Sequence, residues 1–79
     1  MNVEQIMVAK QSQPFRAFRV VMSDGRSYLV KHPDFIARSP LNDTVIVFHD
    51  DGTWSALDVY QMNEIKIEPP PPVASAKAP

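Results

Sequence analysis

Two Asp-Gly pairs, each lying between β-prone runs, constrain the fold of this chain more than any other feature. Asp24-Gly25 and Asp51-Gly52 contain the only two glycines among the 79 residues. An Asp-Gly pair between alternating apolar runs is the strongest short-range signal of a β-hairpin. The sequence therefore predicts two hairpins, built from the runs 15–22 with 27–31 and 44–48 with 53–57.

The first hairpin is predicted to close through a two-residue loop. In that register Val20 lies opposite Leu29, and Val21 lies opposite Tyr28. Both faces of the hairpin then carry apolar cross-strand pairs, which are the units that stabilise a sheet. One face can line a core, and the other can receive a helix or a second subunit.

The first ten residues follow a helical period instead. A stripe with the spacing i, i+3, i+4, i+7 predicts a short amphipathic helix, and it consists of Val3, Ile6, Met7 and Lys10. Asn2 stands where a residue that caps the helix N-terminus is expected. Because a helix of this length is not stable alone in water, its stripe must dock on the rest of the chain.

Short strands and turns are predicted for the remainder. The pattern indicates a corner at 32–34, a strand at 35–38, turns at 39–43 and 49–52, one helical turn at 58–62 and a last strand at 63–67. The connections are too short for parallel crossovers. The predicted fold class is mainly β: a small antiparallel barrel or bent sheet of five to six short strands, with the N-terminal helix packed across one open end.

The last eleven residues differ in composition from all the others. Residues 69–79 read PPPPVASAKAP and contain five of the eight prolines. Proline donates no backbone hydrogen bond, and this segment offers little apolar surface to bury. We predict a single helix-plus-β domain over residues 1–68 and a disordered proline- and alanine-rich tail over residues 69–79.

Composition excludes several classes of protein. The absence of cysteine excludes a disulfide scaffold and a thiolate metal site. No apolar run is long enough to span a membrane and no signal-peptide pattern is present, so a cytoplasmic protein without a membrane partner is expected. The net charge of −1 excludes a strongly basic nucleic-acid binder.

Charge is nevertheless distributed unevenly along the chain. Residues 10–38 carry six basic and two acidic side chains, whereas residues 43–68 carry one basic and six acidic side chains. Basic residues interleaved with aromatic ones can form a surface that binds phosphates and stacks on bases. The candidate nucleic-acid contacts are Arg16, Arg19, Arg26 and Arg38. The favoured alternative places these arginines on the solvent side of strands whose aromatic residues pack inward.

No group of side chains points to catalysis or to a metal. His32, His49 and the neighbouring aspartates are ligand types for zinc, but they all fall in predicted turns and lack an HxH or HxxxH spacing. The serines lack a nucleophile-elbow motif and a histidine at a suggestive spacing. We therefore expect no catalytic residues, no cofactor and no metal, and a protein that is not an enzyme.

Four apolar or aromatic residues of the strand region are candidates for an interface. These are Phe15, Val21, Tyr28 and Trp54. Trp54 is expected either in the core or as an interface anchor, because its ring combines a large apolar area with one polar N–H. The expected partner is another protein, which includes a second copy of this chain.

Three motifs resemble a group of small uncharacterised bacterial proteins. Residues 14–19 read PFRAFR, residues 24–26 read DGR and residues 32–35 read HPDF, where that group has a PFRPFR-type start, a DGR hairpin and an HPxF corner. The order of elements is more loosely similar to SH3-like and Sm-like barrels, including the bacterial Sm-like RNA chaperone. Val30 stands about where many Sm strands have glycine, and residues 58–61 read DVYQ in place of the chaperone's Tyr-Lys-His element. The resemblance thus implies a barrel-like shape and neither an activity nor a uridine site.

The sequence as a whole favours a noncatalytic protein-interaction or regulatory module that is able to form oligomers. The alternative is an Sm-like barrel that binds RNA or DNA through its basic first hairpin. The two hypotheses differ in the surface they need, which is apolar in the first case and rich in free arginine in the second.

Overall fold

The computed structural model of the protein describes residues 2–69. Its helix α1 spans Val3–Lys10, and its strands are β1 (Phe18–Met22), β2 (Ser27–Val30), β3 (Ile36–Arg38), β4 (Thr44–Phe48), β5 (Trp54–Asp58) and β6 (Met62–Ile67). The predicted mainly-β fold with a short N-terminal helix is confirmed. Apart from Pro69, the predicted tail lies outside the described residues.

Within residues 2–69 the strands form two three-stranded antiparallel sheets, so the bent-sheet form of the prediction describes the fold. The first sheet has the order β2-β1-β6, and the second has the order β3-β4-β5. A 3-10 turn at Pro33–Phe35 carries the chain from the first sheet to the second, and another at Val59–Gln61 carries it back. The first turn starts at proline because that residue cannot donate to a strand ladder.

The core lies between the inner faces of the two sheets. Phe18, Val20 and Val30 of the first sheet are fully buried, as are Val45 and Val47 of the second. Alternate residues of β1 and β4 are buried, as expected for strands that cover a core with one face. Each such side chain contributes about 1.5–3 kcal/mol relative to an exposed one. The core therefore decides which residues of both sheets point outward.

Helix α1 is fixed at both of its ends. Oδ1 of Asn2 accepts hydrogen bonds from the backbone N–H groups of Glu4 at 3.1 Å and Gln5 at 3.3 Å, so the predicted cap is confirmed. At the other end, Nζ of Lys10 donates a hydrogen bond to the backbone oxygen of Ile36 at 2.8 Å. The buried stripe of the helix joins the core, and this lysine ties the helix to β3.

The first hairpin closes through three residues, and the predicted two-residue loop is wrong. The backbone N–H of Met22 donates to the oxygen of Arg26 at 2.7 Å, and the N–H of Gly25 donates to the oxygen of Met22 at 2.9 Å. Gly25 has φ 93°, a conformation that glycine adopts without steric cost. This is the three-residue loop in which a type I turn is followed by a left-handed residue.

The longer loop shifts the strand pairing of the first hairpin by one residue. Val20 lies opposite Tyr28, not opposite Leu29 as predicted. Val21 lies opposite Ser27, and Leu29 therefore pairs with a position nearer the start of β1. The outer face of the hairpin consequently lacks the apolar pairs that the two-residue loop would have placed there.

The other elements agree with the sequence prediction to within one or two residues, except that β1 begins at Phe18, three residues after the start of the predicted run 15–22. The strand predicted at 44–48 has those bounds, and the helical turn predicted at 58–62 is the 3-10 turn Val59–Gln61. The strand predicted at 35–38 begins one residue later, because Phe35 belongs to the turn at Pro33–Phe35. These small shifts do not change the order of the elements.

Candidate functional site

An exposed aromatic pair lies on the outer face of the second sheet. Phe48 at the end of β4 stands directly opposite Trp54 at the start of β5. The two residues are 40% and 60% exposed, respectively. Two large aromatic side chains that remain exposed side by side are uncommon in a domain such as residues 2–69, whose other large apolar strand residues, apart from Ile67, are buried or half-buried.

A row of smaller apolar residues extends this pair across all three strands. Ile46 lies opposite Ala37 of β3 on one side and opposite Ala56 of β5 on the other. Ile46 is half-buried, and the two alanines are exposed. We call the surface formed by Ala37, Ile46, Phe48, Trp54 and Ala56 the aromatic face.

The hairpin loop between β4 and β5 places Trp54 on this face. The backbone N–H of His49 donates to the oxygen of Thr53 at 2.9 Å, which closes a three-residue loop with Gly52 at φ 89°. The residues that follow the closing pair must then alternate, so Trp54 points outward and Leu57 points into the core. The prediction of Trp54 as an interface anchor remains open, whereas its alternative as a core residue is wrong.

Carboxylates border the aromatic face at both ends. Asp58 is exposed and lies opposite Thr44 at one end, and Asp50 and Asp51 form the hairpin tip at the other. Hydrogen bonds from the hydroxyl and the backbone N–H of Thr53 hold the pKa of the Asp51 carboxyl below its ordinary value. Asp51 and Asp58 give the apolar surface an acidic rim at neutral pH, whereas Asp50 forms an ion pair with Lys31.

The other three interface candidates lie elsewhere and are less exposed. Phe15 and Tyr28 are half-buried and pack against the core. The Phe15 ring meets that of Phe18 edge-on, with 6.0 Å between the ring centroids. Val21 is half-buried on the outer face of the first sheet. The structure thus does not bring these three residues together with Trp54.

The four candidate arginines are spread over the fold, and each contacts a polar group of this chain. Arg16 and Arg19 meet at Glu68: Nη2 of Arg16 donates to the backbone oxygen at 2.7 Å, and Nε of Arg19 lies 3.2 Å from Oε2. Nη1 of Arg38 donates to the side chain of Asn42 at 2.9 Å. Arg26 lies beyond the opposite end of β1, at the first hairpin tip.

Arg26 takes part in a small polar cleft between the first hairpin and β5. The cleft has a volume of about 340 Å³, and its lining includes Asp24, Arg26, Tyr28, Asp58 and Gln61. Nε of Arg26 lies 2.8 Å from Oδ2 of Asp24. The backbone N–H of Arg26, together with this guanidinium, holds the pKa of the Asp24 carboxyl below its ordinary value. The cleft is thus a second place where two sequence candidates, Arg26 and Tyr28, come together.

The structure also pairs a serine with a histidine, a contact that the sequence did not predict. Nε2 of His49 lies 2.9 Å from Oγ of Ser55 across the second hairpin. A serine six residues after a histidine does not by itself predict a contact. The three-residue loop places both residues on the same side of the hairpin, so the contact can be deduced only once the loop length is known. The pair alone does not define a catalytic site, because a serine nucleophile also needs hydrogen-bond donors directed at the oxyanion that forms in the reaction.

Among residues 2–69, no group of three histidine, aspartate or glutamate side chains is placed to hold a metal ion.

Comparison with known proteins finds no matching family model, curated protein or solved structure. In the part of the chain that the structure describes, no helix is long and apolar enough to cross a membrane.

Proposed function

We propose that this protein is a noncatalytic interaction or regulatory module that docks on another protein through the aromatic face. The observation that supports this is the exposed Phe48–Trp54 pair within a continuous apolar row. Aromatic residues are enriched at the centres of protein interfaces, and tryptophan is among the residues that contribute most to binding. The face also lies on a sheet whose geometry the buried core holds fixed.

The acidic rim indicates the chemistry of the partner. An apolar centre bordered by Asp51 and Asp58 matches a protein surface with apolar side chains in the middle and lysine or arginine at the edge. Complementary rim charges accelerate association and are screened by salt, whereas the apolar centre is not. We therefore expect association to slow with added salt while much of the affinity remains.

Nucleic acid is the less supported ligand. Arg19 and Arg26 form ion pairs with Glu68 and Asp24, and a phosphate would have to compete with those carboxylates. Arg16 and Arg38 also donate to groups of this chain. Filter binding with random single-stranded oligonucleotides at low salt tests this alternative, and retention at micromolar protein would favour it over a protein partner.

The test of the proposal is affinity capture with matched variants. Wild type, Trp54→Ala and Tyr60→Ala are immobilised and exposed to a lysate of the source cells, and retained proteins are identified by mass spectrometry. Tyr60→Ala is the control, because Tyr60 is 78% exposed and lies outside the aromatic face. The binding constant of each retained protein, once purified, is then measured by calorimetry for all three forms.

The expected result is a partner bound by wild type and Tyr60→Ala, with Trp54→Ala weakened by about 30-fold, which corresponds to about 2 kcal/mol for loss of a central tryptophan. Partners that bind all three forms equally would contradict the proposal, as would the retention of no protein at all. Melting curves of the three forms confirm that each is folded.

A further inference from the structure

β6 is an edge strand of the first sheet. It pairs with β1 on one side, and none of the described strands pairs with it on the other. An open edge presents a row of backbone N–H and C=O groups to any strand that approaches. This edge is separate from the aromatic face, so strand pairing at the edge is independent of the proposed function.

The direction of each backbone group along β6 can be deduced from one hydrogen bond. The N–H of Glu68 donates to the oxygen of Ala17 at 2.8 Å, which places the backbone groups of Glu68 on the β1 side. Because these groups alternate along an antiparallel strand, those of Lys66 also face β1, and those of Ile65 and Ile67 face the open edge. A strand that joined this edge would bond to Ile65 and Ile67.

The side chains near the edge alternate as well. Glu64, Lys66 and Glu68 lie on the outer face with the signs minus, plus, minus. Ile65 and Ile67 lie on the inner face, since they stand opposite Val20 and Phe18 of β1. The edge strand therefore has an apolar inner face and an outer face with charges of alternating sign. The relative position of two antiparallel copies decides whether like or opposite charges face each other.

Among the antiparallel registers of two β6 strands centred on Ile65, Lys66 or Ile67, charge and hydrogen bonding favour one. Centring on Lys66 would set the two lysines opposite each other and each Glu64 opposite a Glu68, which like-charge repulsion disfavours. Centring on Ile67 would set Ile65 opposite Pro69, which has no N–H to donate. Centring on Ile65 sets Glu64 opposite Lys66 twice.

We propose that the protein forms a symmetric dimer in which β6 pairs antiparallel with β6 of a second copy, with Ile65 opposite Ile65 of the partner subunit. Ile65 then exchanges two backbone hydrogen bonds with its counterpart, because its N–H and C=O both point to the edge. Two Glu64–Lys66 ion pairs flank that centre. The first sheet of one copy and the first sheet of the other then form one continuous six-stranded sheet.

A groove beside the edge gives the partner something to cover. It lies between α1 and β6, has a volume of about 590 Å³ and is lined partly by Val8, Ile65 and Ile67. Val8 is 68% exposed and Ile67 is 49% exposed, so apolar surface on both sides of the groove is open to solvent. A second β6 laid along the edge would shield this surface. The contact is short, so a dissociation constant in the micromolar range is expected.

The charge register makes the dimer testable by charge exchange. Sedimentation equilibrium over micromolar to millimolar concentrations at low salt compares wild type with E64K, K66E, the double variant and an equimolar mixture of the two single variants. E64K and K66E each set like charges opposite each other twice, whereas the double variant and the mixture restore opposite charges. D34K is the control for net charge, since Asp34 is exposed and lies in the turn at Pro33–Phe35.

We expect wild type and D34K to dimerise, each single variant to dimerise at least about tenfold more weakly, and the double variant and the mixture to recover. Hydrogen exchange at the Ile65 and Ile67 amides should slow with concentration in wild type, and should need at least about tenfold higher concentration to slow equally in E64K. A wild type that stays monomeric would overturn the proposal. So would an assembly larger than a dimer, or a dimer indifferent to both single variants.

Discussion

The two Asp-Gly hairpins of this molecule share one turn and differ in everything around it. In each, a three-residue loop closes on a hydrogen bond of 2.7 or 2.9 Å, and the glycines have φ values of 93° and 89°. In each, the carboxylate of the loop aspartate, Asp24 or Asp51, accepts a hydrogen bond at 3.0 Å from the backbone N–H two residues later. The local chemistry of the two turns is therefore equivalent.

The contacts of the residues near each loop distinguish the two hairpins. Met22 at the base of the first loop is buried, and both the N–H and the hydroxyl of Ser23 donate to the oxygen of Gln61, at 2.7 and 2.9 Å. In the second hairpin the pair that follows the closing residues His49 and Thr53 is Phe48 and Trp54, and both are exposed. Turn chemistry thus specifies that a hairpin forms, and tertiary contacts decide whether it supports the core or presents a surface.

The sharpest test of that difference is to truncate Met22, which closes the first loop, and Trp54, which follows the closing pair of the second. Met22→Ala should lower the free energy of unfolding by about 2–5 kcal/mol, because truncating a buried side chain leaves a cavity in the core. Trp54→Ala should cost less than about 1 kcal/mol, because most of the ring is already exposed. Urea unfolding measures both.

If Met22→Ala does not fold, Met22→Leu provides the same comparison at a cost below about 1.5 kcal/mol, since it nearly conserves volume. A loss for Trp54→Ala as large as that for Met22→Ala would show that the second hairpin also supports the core.

Substituting the loop glycines should produce the next largest effect. Gly25→Val and Gly52→Val should each cost about 1–3 kcal/mol, since a β-branched residue resists positive φ. No atom beyond the glycine and its two chain neighbours lies within 4 Å of a Cβ added at either position, so backbone strain is the expected cause of the loss. Gly25→Val should be the worse of the two, because the loop beside it is tied to the rest of the fold by buried Met22 and by the two hydrogen bonds from Ser23 to Gln61.

Thermal melts of the two valine variants beside Gly25→Asn and Gly52→Asn measure this. Asparagine tolerates positive φ better than valine, so both asparagine variants should lose less. Equal losses for valine and asparagine at either site would mean that strain at that glycine is not the cause.

The smallest effect concerns acid stability, and here the two hairpins should behave alike. The pKa values of Asp24 and Asp51 are lowered from 3.8 in the folded chain by the hydrogen bonds that each carboxylate accepts. A lowered folded-state pKa stabilises the fold above the unfolded value, and that stability is lost as pH falls through the folded value.

The melting temperature should therefore decline as pH falls below about 4, and the decline should be shallower in Asp24→Asn and in Asp51→Asn. Circular-dichroism melts from neutral pH to pH about 2 record the curves. Unchanged slopes in both variants would show that these carboxylates do not contribute to acid unfolding.

Features with local causes were predictable from the sequence. The Asn2 cap and the positive φ of Gly25 depend on neighbouring residues, and both are confirmed. The predicted helix stripe is confirmed at Val3 and Ile6, but the third buried position is Ala9, while Met7 and Lys10 are only partly buried. The pairing of the first hairpin was not predictable, because an Asp-Gly pair suits both a two-residue and a three-residue loop. Because the loop is one residue longer than predicted, Val20 lies opposite Tyr28 and not opposite Leu29.

The candidate site was harder to predict, for a related reason. Both faces of β4 carry apolar residues, with Val45 and Val47 on one face and Ile46 and Phe48 on the other. A period of two separates the faces without saying which one meets the core. The exposure of Trp54 and the His49–Ser55 contact can be deduced only once that choice and the loop length are fixed.

The hydrogen bond between Ala17 and Glu68 has a mechanical consequence. The chain runs into β1 and out of β6 at the same corner, so tension applied to the segments before residue 17 and after residue 68 pulls the two strands apart sideways. Such a load falls on one backbone hydrogen bond at a time, in sequence, instead of on the whole ladder at once. Arg16 and Arg19, which both contact Glu68, lie at the end of the ladder that is loaded first. Their contacts therefore resist the first step of strand separation.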